Sequence, residues 1–294
     1  MTAVDKMAED AFVSLSGKES AVYRRLLVPL FLVLSTVGSL RAEEANVAAA
    51  REILNKHQDA VIWVSAIMKS QMTGMGIAFG HGQEEKVRAL GTVIDPSGLT
   101  VVSLTMLNPM GMFQDLFSSA GDDEGQMDFK ASFSDIKMRL ADGTEVPAKL
   151  VLKDPDLDMA FLVPEEGEGE TSPKFVSLDL KESSEAGVLD ELVLIGRLGS
   201  ALDRRPSVGL ARVAAVVTKP RTFYVVEVPE HQGLGTPVFT QDGKVLGITL
   251  MRKGPALEGG LNAMMSGAIA TVIVPAGDVL EIAAQALKSG AEEE

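Results

Sequence analysis

Short apolar segments, each broken by a turn signal, follow one another from residue 60 to about residue 275. They recur about every 10–15 residues, a spacing typical of short antiparallel strands. Some alternate strictly, as residues 136–140 do before the turn Ala141-Asp142-Gly143. Only two segments favour helix: the Ala- and Glu-rich residues 43–57 and residues 276–288. The pattern predicts an all-β fold, an antiparallel barrel or sandwich with a short N-terminal helix and a C-terminal helix.

The predicted strands share β-branched or alternating character and are separated by Gly, Pro, Asp or Ser. Residues 108–133 and 164–174 interrupt them, and both are predicted to be surface loops. The strands are expected at residues 60–68, 76–80, 91–95, 100–104, 136–140, 148–152, 159–163, 191–195, 211–217, 223–228, 238–240, 245–250 and 268–274.

Composition excludes several classes of function. The formal charge of −14 argues against a nucleic-acid partner, because phosphate backbones are bound by clustered Lys and Arg. The chain has no cysteine, which removes disulfides and thiolate chemistry. His57 and His81 lack the spacing of metal ligands, so neither a metal nor another cofactor is expected.

The first forty residues have the pattern of a targeting signal. An apolar run at residues 26–40 follows Arg24-Arg25 and precedes Leu40-Arg41-Ala42. The run is shorter than the ~20 residues of a membrane-spanning helix. Residues 1–42 are therefore predicted to be a signal peptide or an uncleaved N-terminal membrane anchor, the only contact with a membrane that the sequence suggests. Either would place the domain at residues 43–288, and the acidic tail at 289–294, in the periplasm or cell envelope.

Four segments, in order, resemble the protease domain of the HtrA family of trypsin-like serine proteases. They are Gly91-Thr-Val-Ile-Asp-Pro-Ser-Gly98, Leu140–Lys149 with Asp154–Leu162, Val193–Gly199, and Gly233-Leu-Gly-Thr-Pro-Val238 with Asp242–Ile248. The resemblance covers about residues 46–288 and implies a trypsin-like double antiparallel β-barrel. It also implies a serine endopeptidase, in which a hydroxyl, an imidazole and a carboxylate act together.

Two of those three groups are missing at the matching positions. The resemblance places Thr105 at the histidine position, Asp158 at the aspartate position and Leu234 at the serine position. The anion-hole donors would be the N–H groups of Gln232 and Leu234, and Gln232 replaces a glycine whose loss is expected to alter the turn. No intact catalytic set is therefore predicted, since an aliphatic side chain cannot attack a carbonyl.

Three functions remain open. The first is an exported trypsin-fold pseudoprotease that binds a peptide or protein ligand without cleaving it, and hence is not an enzyme. The second is an active endopeptidase with displaced residues, for which Thr236 as nucleophile or a dyad with His231 are the candidates. The third is a structural envelope protein that makes contacts through residues 108–133.

Overall fold

The structure is a computed structural model that describes residues 44–74, 77–109, 111, 128–165, 173–229, 232–253 and 269–292. The segment predicted to be a signal or anchor, residues 1–42, lies outside these ranges. Among the helices of the described ranges, none combines the length and apolarity needed to cross a bilayer. The chain separates into the units Met1–Ala48 and Ala49–Glu294, and every described strand belongs to the second. The predicted domain boundaries after residues 42 and 288 remain predictions.

Six strands of the N-terminal half form one closed antiparallel barrel. They are β1 (Val61–Gly74), β2 (Ile77–Val93), β3 (Thr100–Ser103), β4 (Asp128–Arg139), β5 (Glu145–Asp154) and β6 (Met159–Pro164). Their spatial order is β1-β2-β3-β6-β5-β4. Long apolar and alternating runs form this barrel because each strand then pairs on both sides and leaves no long open edge.

A second closed antiparallel barrel follows in sequence. Its strands are β7 (Glu191–Arg197), β8 (Pro206–Val217), β9 (Phe223–Val226), β10 (Pro237–Thr240), β11 (Val245–Lys253) and β12 (Ile269–Pro275). Their order in space is β10-β11-β12-β9-β8-β7. The prediction of a double antiparallel barrel with a helix near each end is confirmed.

Helices accompany the strands along the chain. Helix α1 covers residues 44–57 and continues into the 3-10 turn Gln58–Ala60. Helix α2 is a single turn, Leu104–Leu107, and helix α3 is Ala276–Glu292. Helix α3 turns one apolar face to the core, because Val279, Ile282, Ala283 and Ala286 recur at helical spacing and are buried.

The core lies inside each barrel and between the two barrels. In β6, Ala160 and Leu162 pack inside the first barrel, whereas Met159 and Phe161 pack in the cluster that also contains Val193 of β7. Both faces of β6 are therefore buried, which explains why this strand is an unbroken apolar run and not an alternating one. The packing fixes the ends of β3 and β6 at the junction of the barrels.

Several predicted element bounds were wrong. Residues 77–80 and 91–93 are parts of one strand, β2, because its ladder with β1 continues through the charged segment between them. Residues 128–133 are strand, not loop, because they pair with residues 68–73 of the extended β1. Helix α3 continues past residue 288 to Glu292, since Ala and Glu are good helix formers. The rest of the predicted loop at 108–133 and most of 164–174 lie outside the described residues.

Candidate functional site

Asp158 lies in the turn before β6 and is 2% exposed. Its carboxylate accepts three hydrogen bonds, from the Ser103 hydroxyl at 2.6 Å, the Thr105 backbone N–H at 2.7 Å and the Met251 backbone N–H at 2.9 Å. Its backbone has a φ of 59°, in the left-handed region, which Asp tolerates better than most residues. The carboxylate is therefore held by three donors, none of which is an imidazole.

Thr105 is placed by the short helix that follows β3. Ser103 is the N-cap of α2, and its hydroxyl accepts from the Met106 N–H at 3.3 Å while donating to Asp158. The Leu104 N–H donates to the Asp158 carbonyl at 2.8 Å. The acid thus satisfies N–H groups that the start of α2 would otherwise leave without partners. This capping fixes Thr105 beside Asp158.

Leu234 lies in a tight loop that contacts the first barrel. The next residue, Gly235, has a φ of 83°; its N–H donates to Thr249 O at 2.7 Å, and its carbonyl accepts from the Thr92 hydroxyl at 2.8 Å. A Cβ on Gly235 would lie 2.4 Å from Leu90 O and 3.3 Å from Ser103 N. The loop is thereby adjacent to Ser103, the partner of Asp158. The structure brings Thr105, Asp158 and the Leu234 loop together, while their correspondence to a catalytic triad stays a prediction.

Thr236 is fully buried and its hydroxyl is engaged. The hydroxyl donates to Gly233 O at 2.7 Å and lies 2.9 Å from the Thr249 hydroxyl. Thr249 in turn donates to Gly233 O at 3.0 Å. These contacts stabilise the loop, and they include no base that could take a proton from Thr236.

Gln232, predicted to be an anion-hole donor, uses its backbone N–H within the protein. This N–H donates to Pro229 O at 2.8 Å. The side chain is 7% exposed and its Nε2 donates to the Ser207 hydroxyl at 3.2 Å, while Oε1 has no partner among the described residues. A Cβ added to Gly196 would lie 2.5 Å from this Oε1. The absence of a side chain at Gly196 therefore leaves the space that the Gln232 amide fills beside β7 and β8. An anion hole needs N–H groups aimed at the ligand, and this one is already bonded within the protein.

His57, at the end of α1, contacts β10 of the second barrel. Its ring stacks on Phe239, with centroids 4.9 Å apart and an interplanar angle of 26°. Burial, and secondarily the charge of Lys56, lower the pKa of His57 to about 4. The His81 side chain and His231 lie outside the described residues. Within the described ranges, no three His, Asp or Glu side chains converge in a way that could hold a metal ion.

We expect His57 to make stability pH-dependent between pH 6.5, its ordinary pKa, and about pH 4. In this window the unfolded chain binds a proton that the folded ring excludes, so stability falls as pH falls. Because the ring is partly solvated, the effect is about 1–2 kcal/mol and smaller than the shift alone would give. The measurement is denaturant unfolding at both pH values for the wild type and His57→Phe, which keeps the stacking. Equal pH dependence in both proteins would contradict the assignment.

Two members of this site are not apparent from the resemblance. Ser103 has a local signal, since serine is among the residues preferred at the N-cap and here it ends a strand directly before a helical turn. Met251 contributes only its backbone N–H, across 93 residues of sequence, and has no such signal. It reaches Asp158 because β11 passes the junction of the barrels.

Comparison with known proteins identifies the architecture. The sequence profile of the family described as "Trypsin-like peptidase domain" matches residues 91–248, more than half of the chain. The solved protease domain of MamO from Magnetospirillum magneticum, in its apo form, is similar with 16% sequence identity and a TM-score of 0.46. That match covers 77% of this chain and 96% of the MamO domain. No curated protein matches the chain.

Proposed function

Because this chain belongs to the trypsin-like peptidase domain family, we propose that it is a member that binds a peptide or protein segment without cleaving it. The observation that carries this function is the set of partners of Asp158. In a working triad the carboxylate orients an imidazole. Here a serine hydroxyl and two backbone N–H groups occupy it.

Among the described residues around the carboxylate, none supplies an accessible nucleophile: the Ser103 hydroxyl is fully buried and donates to Asp158 itself. Leu234 has no atom that can attack a carbonyl, and the Thr236 hydroxyl is buried and bonded within its loop. Loss of a serine-protease triad lowers kcat by about 10⁶-fold. The Gln232 N–H, bonded to Pro229 O, adds no stabilisation of an oxyanion. Binding without hydrolysis is therefore the chemistry that these groups favour.

A strand edge next to the carboxylate supports peptide binding. The ladder between β11 and β12 continues to Lys253, whereas the ladder between β10 and β11 ends at Ile248. The far end of β11 therefore has strand pairing on one side only among the described residues. Met251 in this stretch touches Asp158 through its N–H. The Thr249 N–H and carbonyl already bond to Thr236 and Gly235, and the Met251 N–H already donates to Asp158. An extended peptide can therefore add to this edge only beyond the Met251 N–H, with the Leu234 side chain as an apolar contact.

Export is a part of the proposal that rests on sequence alone. The apolar run at residues 26–40, preceded by two arginines, supports a domain that acts in the periplasm or cell envelope. A peptide ligand would then be an exported or envelope polypeptide.

The function is tested with peptides selected by display on the wild-type domain. We expect the selected peptides to bind and to remain intact by mass spectrometry, and a fluorophosphonate probe to leave the protein unlabelled. Leu234→Glu places a charge at the apolar contact and is expected to weaken binding about tenfold or more, because a desolvated charge without a partner costs more than 1 kcal/mol.

Leu287→Glu is the matched control for this experiment. Leu287 is 44% exposed on α3, so the same change should leave the peptide affinity as it is in the wild type. Cleavage of the peptides, or labelling by the probe, would favour an active protease with displaced residues. Equal binding by Leu234→Glu and the wild type would place the ligand elsewhere.

A further inference from the structure

A cationic cleft lies on the outer side of the first barrel, where it meets the loop between β7 and β8. It is a recess of about 60 Å³. It is lined by Trp63, Val64, Ser65, Lys86, Arg88, Arg139, Glu145 and Arg204, that is, by four cations and one carboxylate. Such a balance is unusual in a chain whose formal charge is −14.

Strand register explains why the cations meet. Residues directly opposite each other in a ladder share one face of the sheet. Ser65 of β1 lies opposite Arg88 of β2 on one side and Lys137 of β4 on the other, and Trp63 lies opposite Arg139. The two strands that flank β1, β2 and β4, therefore present cationic side chains on the same outward face as Trp63 and Ser65.

Arg204 is held over this face by a constrained turn. Asp203 and Arg204 both have left-handed backbones, with φ of 58° and 52°, which costs about 1 kcal/mol or more for each residue. The buried Arg197 guanidinium donates to Arg204 O at 3.4 Å and also to the carbonyls of Gln58 and Val61. The Trp63 indole N–H donates to Leu198 O at 3.2 Å. These hydrogen bonds hold the turn against the first barrel. The turn keeps its strained backbone at the position where Arg204 lines the cleft.

Within the described part of the chain, three of the four cations form no ion pair. Arg139 pairs with Glu145 at 2.9 Å. Lys86, Arg88 and Arg204 have no carboxylate within ion-pair distance among the residues that the structure describes. Like charges gathered in one recess repel one another, and a bound anion would remove that penalty.

We infer that this cleft binds a phosphate group. A dianion offsets three unpaired cations better than a single carboxylate does, and guanidinium groups match phosphate oxygens with paired hydrogen bonds. The recess, of about 60 Å³, has room for one tetrahedral oxyanion. The phosphate can be inorganic or the headgroup of a lipid, because the recess recognises only the oxyanion.

Trp63, the only tryptophan of the chain, lines the cleft and provides a local probe. Inorganic phosphate should change Trp63 fluorescence with saturation, and rising sodium chloride should weaken the binding. Arg88→Gln and Arg204→Gln should each weaken it about tenfold, the value of one charge-assisted hydrogen bond. Lys244→Gln removes the same charge from a lysine that pairs with Asp242 outside the cleft, and should leave the affinity unchanged.

A second arm distinguishes the source of the phosphate. Sedimentation with phosphatidic acid vesicles, compared with phosphatidylcholine vesicles, detects a lipid headgroup. Binding of inorganic phosphate or of phosphatidic acid that depends on Arg204 supports the site, and shows which source it accepts. No binding of either, equal binding in the wild type and both arginine variants, or acetate binding as tightly as phosphate would overturn the assignment.

Discussion

Replacing Asp158 by alanine is expected to lower the free energy of unfolding by about 3–5 kcal/mol, the range found when one partner is removed from a buried charged network. The change leaves the Ser103 hydroxyl and the N–H groups of Thr105 and Met251 without their acceptor at a junction between the two barrels. Each buried donor left unpaired costs about 1–3 kcal/mol, and local relaxation recovers part of the sum. Chemical denaturation monitored by circular dichroism measures the effect.

Two further variants show whether the carboxylate itself is responsible. Ser103→Ala removes one donor and one N-cap, and should cost about 1–2 kcal/mol because Oδ2 still accepts from Met251. Asp179→Ala is the control: its exposed carboxylate accepts only a local bond from the Lys181 N–H, and the loss should stay below about 1 kcal/mol. An Asp158→Ala protein as stable as this control would show that the network contributes nothing to stability.

The three hydrogen bonds to Asp158 are a physical reason for an acid at this position that does not depend on catalysis. The resemblance singles out the residue for its role beside an imidazole. In this structure the same carboxylate caps α2 and joins β11 to the first barrel. Its removal should therefore affect folding, whether or not the domain has any activity.

Much of the fold could be predicted because its signals are local. The glycines of the turns at Gly98, Gly143 and Gly243 all have positive φ, as turn-forming residues should. The apolar run at residues 159–163 and the helical spacing after Ala276 are likewise readable from the sequence.

The parts that could not be predicted depend on contacts distant in sequence. The strand at residues 128–133 forms because a partner sixty residues earlier extends its ladder, and no local pattern shows this. The cationic cleft depends on ladder register together with a turn more than a hundred residues away. The partners of Asp158 show the same limit. Ser103 can be recognised from the sequence as an N-cap, whereas nothing in the sequence indicates that the Met251 backbone N–H reaches Asp158.

Replacing Gly235 by alanine is expected to cost about 3–5 kcal/mol of unfolding free energy, among the largest effects of a single substitution. Two terms add. The left-handed backbone, with φ of 83°, costs a residue with a Cβ about 1–2 kcal/mol. The new Cβ would also lie 2.4 Å from Leu90 O, a backbone atom that can move only if β2 moves. Because that movement would break the bond between Thr92 and Gly235 O, the Leu234 loop should also detach from the first barrel.

Two other glycines separate the two terms. Gly243 has a φ of 80° but its Cβ would meet nothing closer than Ile53 Cγ1 at 3.9 Å, so Gly243→Ala measures the backbone term alone, about 1–2 kcal/mol. Gly199, with φ of −70° and open space around it, should accept alanine with a change below about 0.5 kcal/mol.

If Gly235→Ala lost no more stability than Gly243→Ala, the loop would not be fixed against β2. If it lost both stability and the affinity for selected peptides, while Gly243→Ala kept its affinity, the loop that carries Leu234 would be a rigid part of the peptide site, because strain alone would not explain the loss.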